Sequence, residues 1–250
     1  MISRRRFSVV AAVVAVAAGC GWRKPAVRKA LIYRGVASGP ELSESAAALV
    51  RAADKSLEIV YVGPQEKVRV TPEVLAGAAL YVQPGGGQDI PAAWDDIRDT
   101  ADAIRDWVRG GGRFLGICMG AYLAGSGDIE GSVYGFDLVP ATIDGYIDTP
   151  GATVSGEADT VIALTWRDKP RHVFFQDGAA FTDVKPGTTV IARYDNKTVA
   201  ALTAPYGEGR VGVVGPHPEA DQSWYDDAGL TNPDGVKFDL GIDLITATLH

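Results

Sequence analysis

"GGRFLGICMGAYLAGSG", residues 111–127, decides how the rest of the chain is read. The segment "RFLGI" has the apolar, β-prone character of a buried strand, and "AYLAG" that of a short helix. Between them "GICMG" has the form Gly-x-Cys-x-Gly, with Gly116 and Gly120 flanking Cys118. A nucleophile elbow needs this context: the strand-to-helix turn strains the central residue and exposes its side chain, and the glycines keep bulk off the neighbouring backbone. Taken alone, the pattern leaves two readings open in a chain with 30 glycines. Cys118 is either packed apolar filler or a nucleophile on a sharp turn.

Outward from the elbow, strands and helices alternate. Upstream, "ALIYRG", "LEIVYV" and "AALYVQ" read as strands, separated by a helix over residues 42–53 and a short one in "PEVLAG". The spacing of Ile97, Ala101, Ile104 and Val108 predicts a helix over residues 94–109, with Asp95 and Asp96 early, Arg105 and Arg109 late, and three glycines stopping it. Such alternation implies right-handed βαβ units and a parallel sheet. Downstream, "TVIALTW", "HVFFQDG", "TTVIARYDN" and "TVAALTAPYGEGRVGVVG" read as antiparallel strands, with "YGEG" a hairpin turn, and residues 236–250 as a closing helix. The expectation is one α/β domain over residues 30–250, with a mostly parallel central sheet and added antiparallel strands.

The N-terminus is of another kind. In "MISRRRFSVVAAVVAVAAGC" a basic head precedes an apolar run over residues 7–18 and a small-residue end, the pattern of an export signal over residues 1–20. That run is shorter than the roughly 20 residues that span a bilayer as a helix. "SRRRFS" resembles a twin-arginine signal, and "VAAGC" a lipoprotein cleavage box that would leave Cys20 lipidated. An ordinary signal-peptidase cut near residues 15–18 is the alternative. Residues 21–29, "GWRKPAVRK", read as a linker.

The chain has 250 residues, is 46% hydrophobic, and carries a net charge of −7 that cleavage would make more acidic. Such a balance offers no footprint for nucleic acid and leaves membrane contact to a lipid at Cys20. With Cys20 lipidated, Cys118 is the remaining thiol, and no intrachain disulfide can form.

The odds on Cys118 change at "VGVVGPHPEA", where a strand ends in Gly215 and Pro216 just before His217 and Glu219. A thiol with an ordinary pKa of about 8.5 is only a few per cent ionised near neutrality, so an adjacent imidazole assists it. The imidazole needs a carboxylate to fix its tautomer. Cys118, His217 and Glu219 supply all three roles. His172 reads as structural, Gln176 and Asp177 as candidate pocket residues, and Asp95–Asp96 and Asp226–Asp227 as helix-start or solvated carboxylates. Three histidines and two cysteines argue against a zinc cluster, and "YGEGR" lacks the context of a phosphate loop. No cofactor is expected.

An elbow Gly-x-Cys-x-Gly followed about a hundred residues later by His-Pro-Glu resembles the class I glutamine amidotransferase superfamily. "LIYRGVAS", "VQPGGG", "GICMGAYLAG", "FFQDGAAF" and "GPHPEA" together resemble, over residues 30–220, the amidotransferase-like domain at the N-terminus of eukaryotic biotin-protein ligases, also found alone in bacteria. The resemblance implies a flavodoxin-like three-layer sandwich, with Cys118 the nucleophile, His217 its base and Glu219 the orienting acid. It also implies an oxyanion hole from backbone N–H groups of Gly86 and Met119, and Gly85 and Tyr122 in the pocket. The glycine-arginine loop and core of a biotin ligase are missing from the sequence. Where glutaminases continue the elbow as Gly-His-Gln, this chain has Gly120-Ala121-Tyr122, which points away from glutamine as substrate. The sequence therefore predicts an exported Cys-His-Glu hydrolase of amides or esters acting on a small molecule or peptide, or a catalytically inactive binding module of the same fold.

Overall fold

The computed structural model describes residues 28–129 and 131–250. The segment expected to be an export signal, with Cys20, and most of the expected linker lie outside the described residues. In chain order the elements run β1 (Lys29–Tyr33), α1 (Pro40–Ala53), β2 (Glu58–Val62), α2 (Pro72–Ala76), β3 (Ala78–Gln83), α3 (Ile90–Ile97) and α4 (Ala101–Arg109). There follow β4 (Arg113–Ile117), α5 (Met119–Ala124), β5 (Gly127–Ile129), β6 (Ser132–Tyr134), β7 (Thr142–Gly145), β8 (Thr160–Trp166) and β9 (Lys169–Phe175). The chain closes with β10 (Ala179–Thr182), β11 (Thr189–Tyr194), β12 (Val199–Tyr206), β13 (Gly209–Val214), α6 (Gln222–Asp227) and α7 (Asp239–Leu249).

One sheet runs in the order β2-β1-β3-β4-β13-β12-β11-β8-β9, with β10 joined to β12 and β7 joined to β10. Its first five strands are mutually parallel, and from β12 onward pairing is antiparallel. Strand residues alternate between two cores, as the two-residue period of a strand requires. Ala30, Ile32, Leu80, Val82, Leu115 and Ile117 face Leu49 of α1 and Leu244 of α7. Leu31, Tyr33, Tyr81 and Phe114 face Leu75 of α2, Ile97 of α3 and Ile104 of α4. A parallel sheet covered on both faces is the flavodoxin-like three-layer α/β sandwich with added antiparallel strands that the sequence predicts.

The helix expected over residues 94–109 is two. Thr100 Oγ1 donates to the Ile97 carbonyl at 2.7 Å, and Arg98–Thr100 form a 3₁₀ turn between α3 and α4. A threonine hydroxyl that takes a backbone acceptor bends or interrupts a helix. The Asp96 carboxyl is not simply solvated: it accepts the Tyr33 hydroxyl from β1. Asp226 and Asp227 close α6 rather than start a helix, and both are exposed. The hairpin joining β12 to β13 turns at Tyr206–Gly209, as "YGEG" suggests.

Candidate functional site

Three adjacent parallel strands, β3, β4 and β13, deliver their C-terminal ends to one place, where open α/β sheets bind ligands. At the end of β4, Cys118 has φ 50° and ψ −109°, a conformation costly to a residue with a side chain, and α5 begins at the next residue. The turn is clamped by backbone. The Cys118 N–H donates to Val214 O at 2.9 Å, tying the elbow to β13. A Cβ on Gly116 would meet Gly120 O at 2.3 Å, and one on Gly120 would meet Gln83 O at 1.9 Å. Both flanking glycines are therefore required by the close approach of β4, α5 and β3.

Beyond β13 the chain crosses to β9, where the His217 N–H donates to Phe174 O at 2.9 Å. The His217 ring lies edge-on to Phe174 and 5.2 Å from the Trp224 ring, walled by aromatics. Its Nδ1 is 2.8 Å from Glu219 Oε1. Exposure is 8% at Cys118, 3% at His217 and 0% at Glu219. His217 Nε2 and Glu219 Oε2 have no hydrogen-bond partner among the described residues. Burial alone would lower the His217 pKa; the adjacent Cys118 sulfur and the Glu219 carboxylate outweigh it and hold it well above 6.5. Both neighbours therefore favour the protonated ring.

Gly85 sits beneath this pair: a Cβ there would lie 3.0 Å from His217 Cε1 and 3.8 Å from Cys118 Cβ. It makes room for the imidazole and is absent from the cleft wall. The next residue, Gly86, packs on the elbow, a Cβ on it falling 3.1 Å from Met119 Cγ and 2.7 Å from Ala37 O. Met119 opens α5, where N–H groups lack intrahelical acceptors.

Above the elbow opens a cleft of about 340 Å³, lined by Cys118, Gly86, Met119, Tyr122, Gln176 and Asp177 among others. The Cys118 thiol points to Gln176 O at 3.7 Å, and the Tyr122 hydroxyl donates to Asp177 O at 3.3 Å. Sequence reasoning missed the opposite wall, which brings Tyr134, Asp144, Asp148 and Glu157 to the same cleft. These residues stand in short segments with no motif; the only available signal was the acidity of Asp144, Asp148 and Glu157. His172 is away from the cleft, its N–H donating to Asp234 at 2.7 Å and its Nδ1 3.2 Å from the same carboxylate. No cluster of three metal-ligating side chains occurs among the described residues.

Fold and similarity together point to one class: the chain has a glutamine amidotransferase-like fold and is similar in sequence to proteins of that class. More narrowly, the family model "Biotin-protein ligase, N terminal" matches residues 28–134, a span that includes the elbow and ends before His217. The chain is 29% identical over 171 residues to the imidazole glycerol phosphate synthase subunit HisH of Acaryochloris marina, covering 65% of this chain and 79% of that one. It is also 29% identical over 166 residues to the biotin–protein ligase of Schizosaccharomyces pombe, covering 58% of this chain but only 26% of the ligase. Among solved structures, a glutamine amidotransferase superposes with a TM-score of 0.56 at 16% identity, over 81% of this chain and 99% of that one. A cytoplasmic protein of Salmonella typhimurium does so at 0.53 and 12% identity, over 89% and 97%. Both structural likenesses speak for the fold.

Proposed function

We propose that this protein is a cysteine-dependent hydrolase of amides or esters, exported and anchored by a lipid at Cys20. The observation that carries the reading is the buried sequence of contacts at the strand ends: Cys118 on a strained elbow, His217 beside it, and Glu219 bound to the far ring nitrogen. The Cys118 sulfur attacks the carbonyl carbon, forming a C–S bond, while backbone N–H groups of Gly86 and Met119 receive the oxyanion. The C–N or C–O bond then breaks, and the leaving group takes the proton from His217. Water cleaves the thioester, its proton passing to His217, which restores the thiol. Glu219 holds the ring and offsets its charge throughout.

A second reading, a binding module without turnover, is favoured by Tyr122, whose hydroxyl is committed to Asp177 O in the cleft wall, where glutaminases carry a different segment. Alkylation of Cys118 by a neutral haloacetamide, followed by peptide mass, separates the two. The expected rate falls at least about tenfold in His217→Ala, because the base that ionises the thiol is gone. A rate unchanged by that substitution overturns the hydrolase and leaves the binding module.

A further inference from the structure

Taking Cys118 as the nucleophile, as proposed above, we infer that the substrate carries an amine or guanidinium cation close to its reacting carbonyl, held by Asp148, Glu157 and Asp177 at the cleft mouth. Four carboxylates, Asp144, Asp148, Glu157 and Asp177, line the cleft, and neither lysine nor arginine does. None of the four forms an ion pair among the described residues. Several acids elsewhere are matched, as Asp243 faces Arg167, Asp234 and Asp239 face Arg171, and Glu66 faces Arg34. The mouth is thus a concentration of unpaired negative charge around one small cavity. Its field is focused by the low-dielectric walls of Tyr122, Tyr134 and Ile143. Asp177 shows the crowding directly: burial, then Glu157, then Asp148, push its pKa above 3.8.

The floor supplies an independent sign that a ligand belongs there. His217 is 3% exposed, and with Nδ1 committed to Glu219, its Nε2 is turned toward the Cys118 sulfur without a partner. This buried nitrogen lies behind Cys118, which lines the cleft where His217 does not, and a group reacting at Cys118 completes its hydrogen bonding. Two recognition elements follow, a reacting carbonyl over Cys118 and a cation at the mouth. Tyr134, which lines the cleft and is 7% exposed, adds an aromatic ring suited to an ammonium. A substrate whose only charge is a carboxylate near its carbonyl would bring like charge against this wall. Basic amides and esters, such as lysyl, arginyl or polyamine derivatives, are the matching class.

The test uses the full chain and three methanethiosulfonates bearing a trimethylammonium, a neutral or a sulfonate head. Modification of Cys118 is read by peptide mass, and each rate is divided by that reagent's rate with 2-mercaptoethanol. The expected preference for the cationic over the anionic head is about tenfold or more at low ionic strength, shrinking toward parity in about 0.5 M salt. Asp148→Asn/Glu157→Gln should remove most of it, whereas Asp95→Asn/Asp102→Asn, with the same change in net charge at a distance, should keep it. A preference absent in the wild type, or undiminished in Asp148→Asn/Glu157→Gln, overturns the inference while leaving the nucleophile intact. Neutral-head labelling that ignores His217→Ala overturns the hydrolase reading itself.

Discussion

The floor and the mouth of the cleft are built by different means. The floor is made where β3, β4 and β13 end, and its geometry is fixed by backbone against backbone: Gly120 on Gln83 O, Gly116 on Gly120 O, Cys118 N–H on Val214 O. The mouth comes from β7, the turn after it, the loop before β8 and the turn after β9, and it consists largely of exposed or half-buried side chains. Position at the floor is therefore dictated by the sheet itself. At the mouth it is chosen residue by residue, so the lining of the cleft can change without the fold changing.

The sharpest break of that comparison is one substitution made in both places. Gly120→Ala puts a Cβ 1.9 Å from Gln83 O, whereas Gly87→Ala finds nothing within 4 Å. The first should cost about 4 kcal/mol or more in urea unfolding, since neither backbone can yield without moving the elbow, and the second within about 0.5 kcal/mol. Equal costs would mean that the floor is not backbone-determined.

Next in size is Glu219→Gln. The fully buried carboxylate holds the His217 ring at 2.8 Å, a charge-assisted bond worth about 2 kcal/mol when the ring is protonated. Because the folded pKa of His217 is raised above 6.5, this contribution is complete below that pH and is lost as pH rises through the folded value. The difference in unfolding free energy between wild type and Glu219→Gln should thus be largest near pH 6.5 and shrink toward alkaline pH. Its growth with pH would show that the ring is neutral in the fold.

The same division explains what could be read in the sequence. The parallel half announces itself through apolar runs alternating with helical spacing, and Cys118 and His217 stand out because each follows such a run directly. By contrast, β7 has one buried residue in four and α6 one in six, Ile143 and Tyr225, so neither carries a period to detect. Asp144, Asp148 and Glu157 resemble any solvated loop acids until the pairing of β7 with β10 brings that segment toward Asp177. The break after Ile97 was equally hidden, because the spacing of apolar residues continues through it. What interrupts the helix is the hydroxyl of Thr100, a local competition that periodicity does not register.

The smallest effect tests the mouth most directly. Asp177 has φ 43°, a left-handed conformation that asparagine tolerates as well as aspartate, so Asp177→Asn introduces no backbone strain. Its folded pKa is raised by burial and by Glu157 and Asp148, so the fold disfavours the ionised form. The stability it contributes is complete below pH 3.8 and is lost as pH climbs through the folded value. Asp177→Asn should consequently stabilise the protein by a few tenths of a kcal/mol near pH 7, the half-exposed position screening the rest, and give no gain in acid. Urea unfolding at the two pH values measures this. A loss of stability at neutral pH would make Asp177 a structural group of the floor rather than a charge held ready at the mouth.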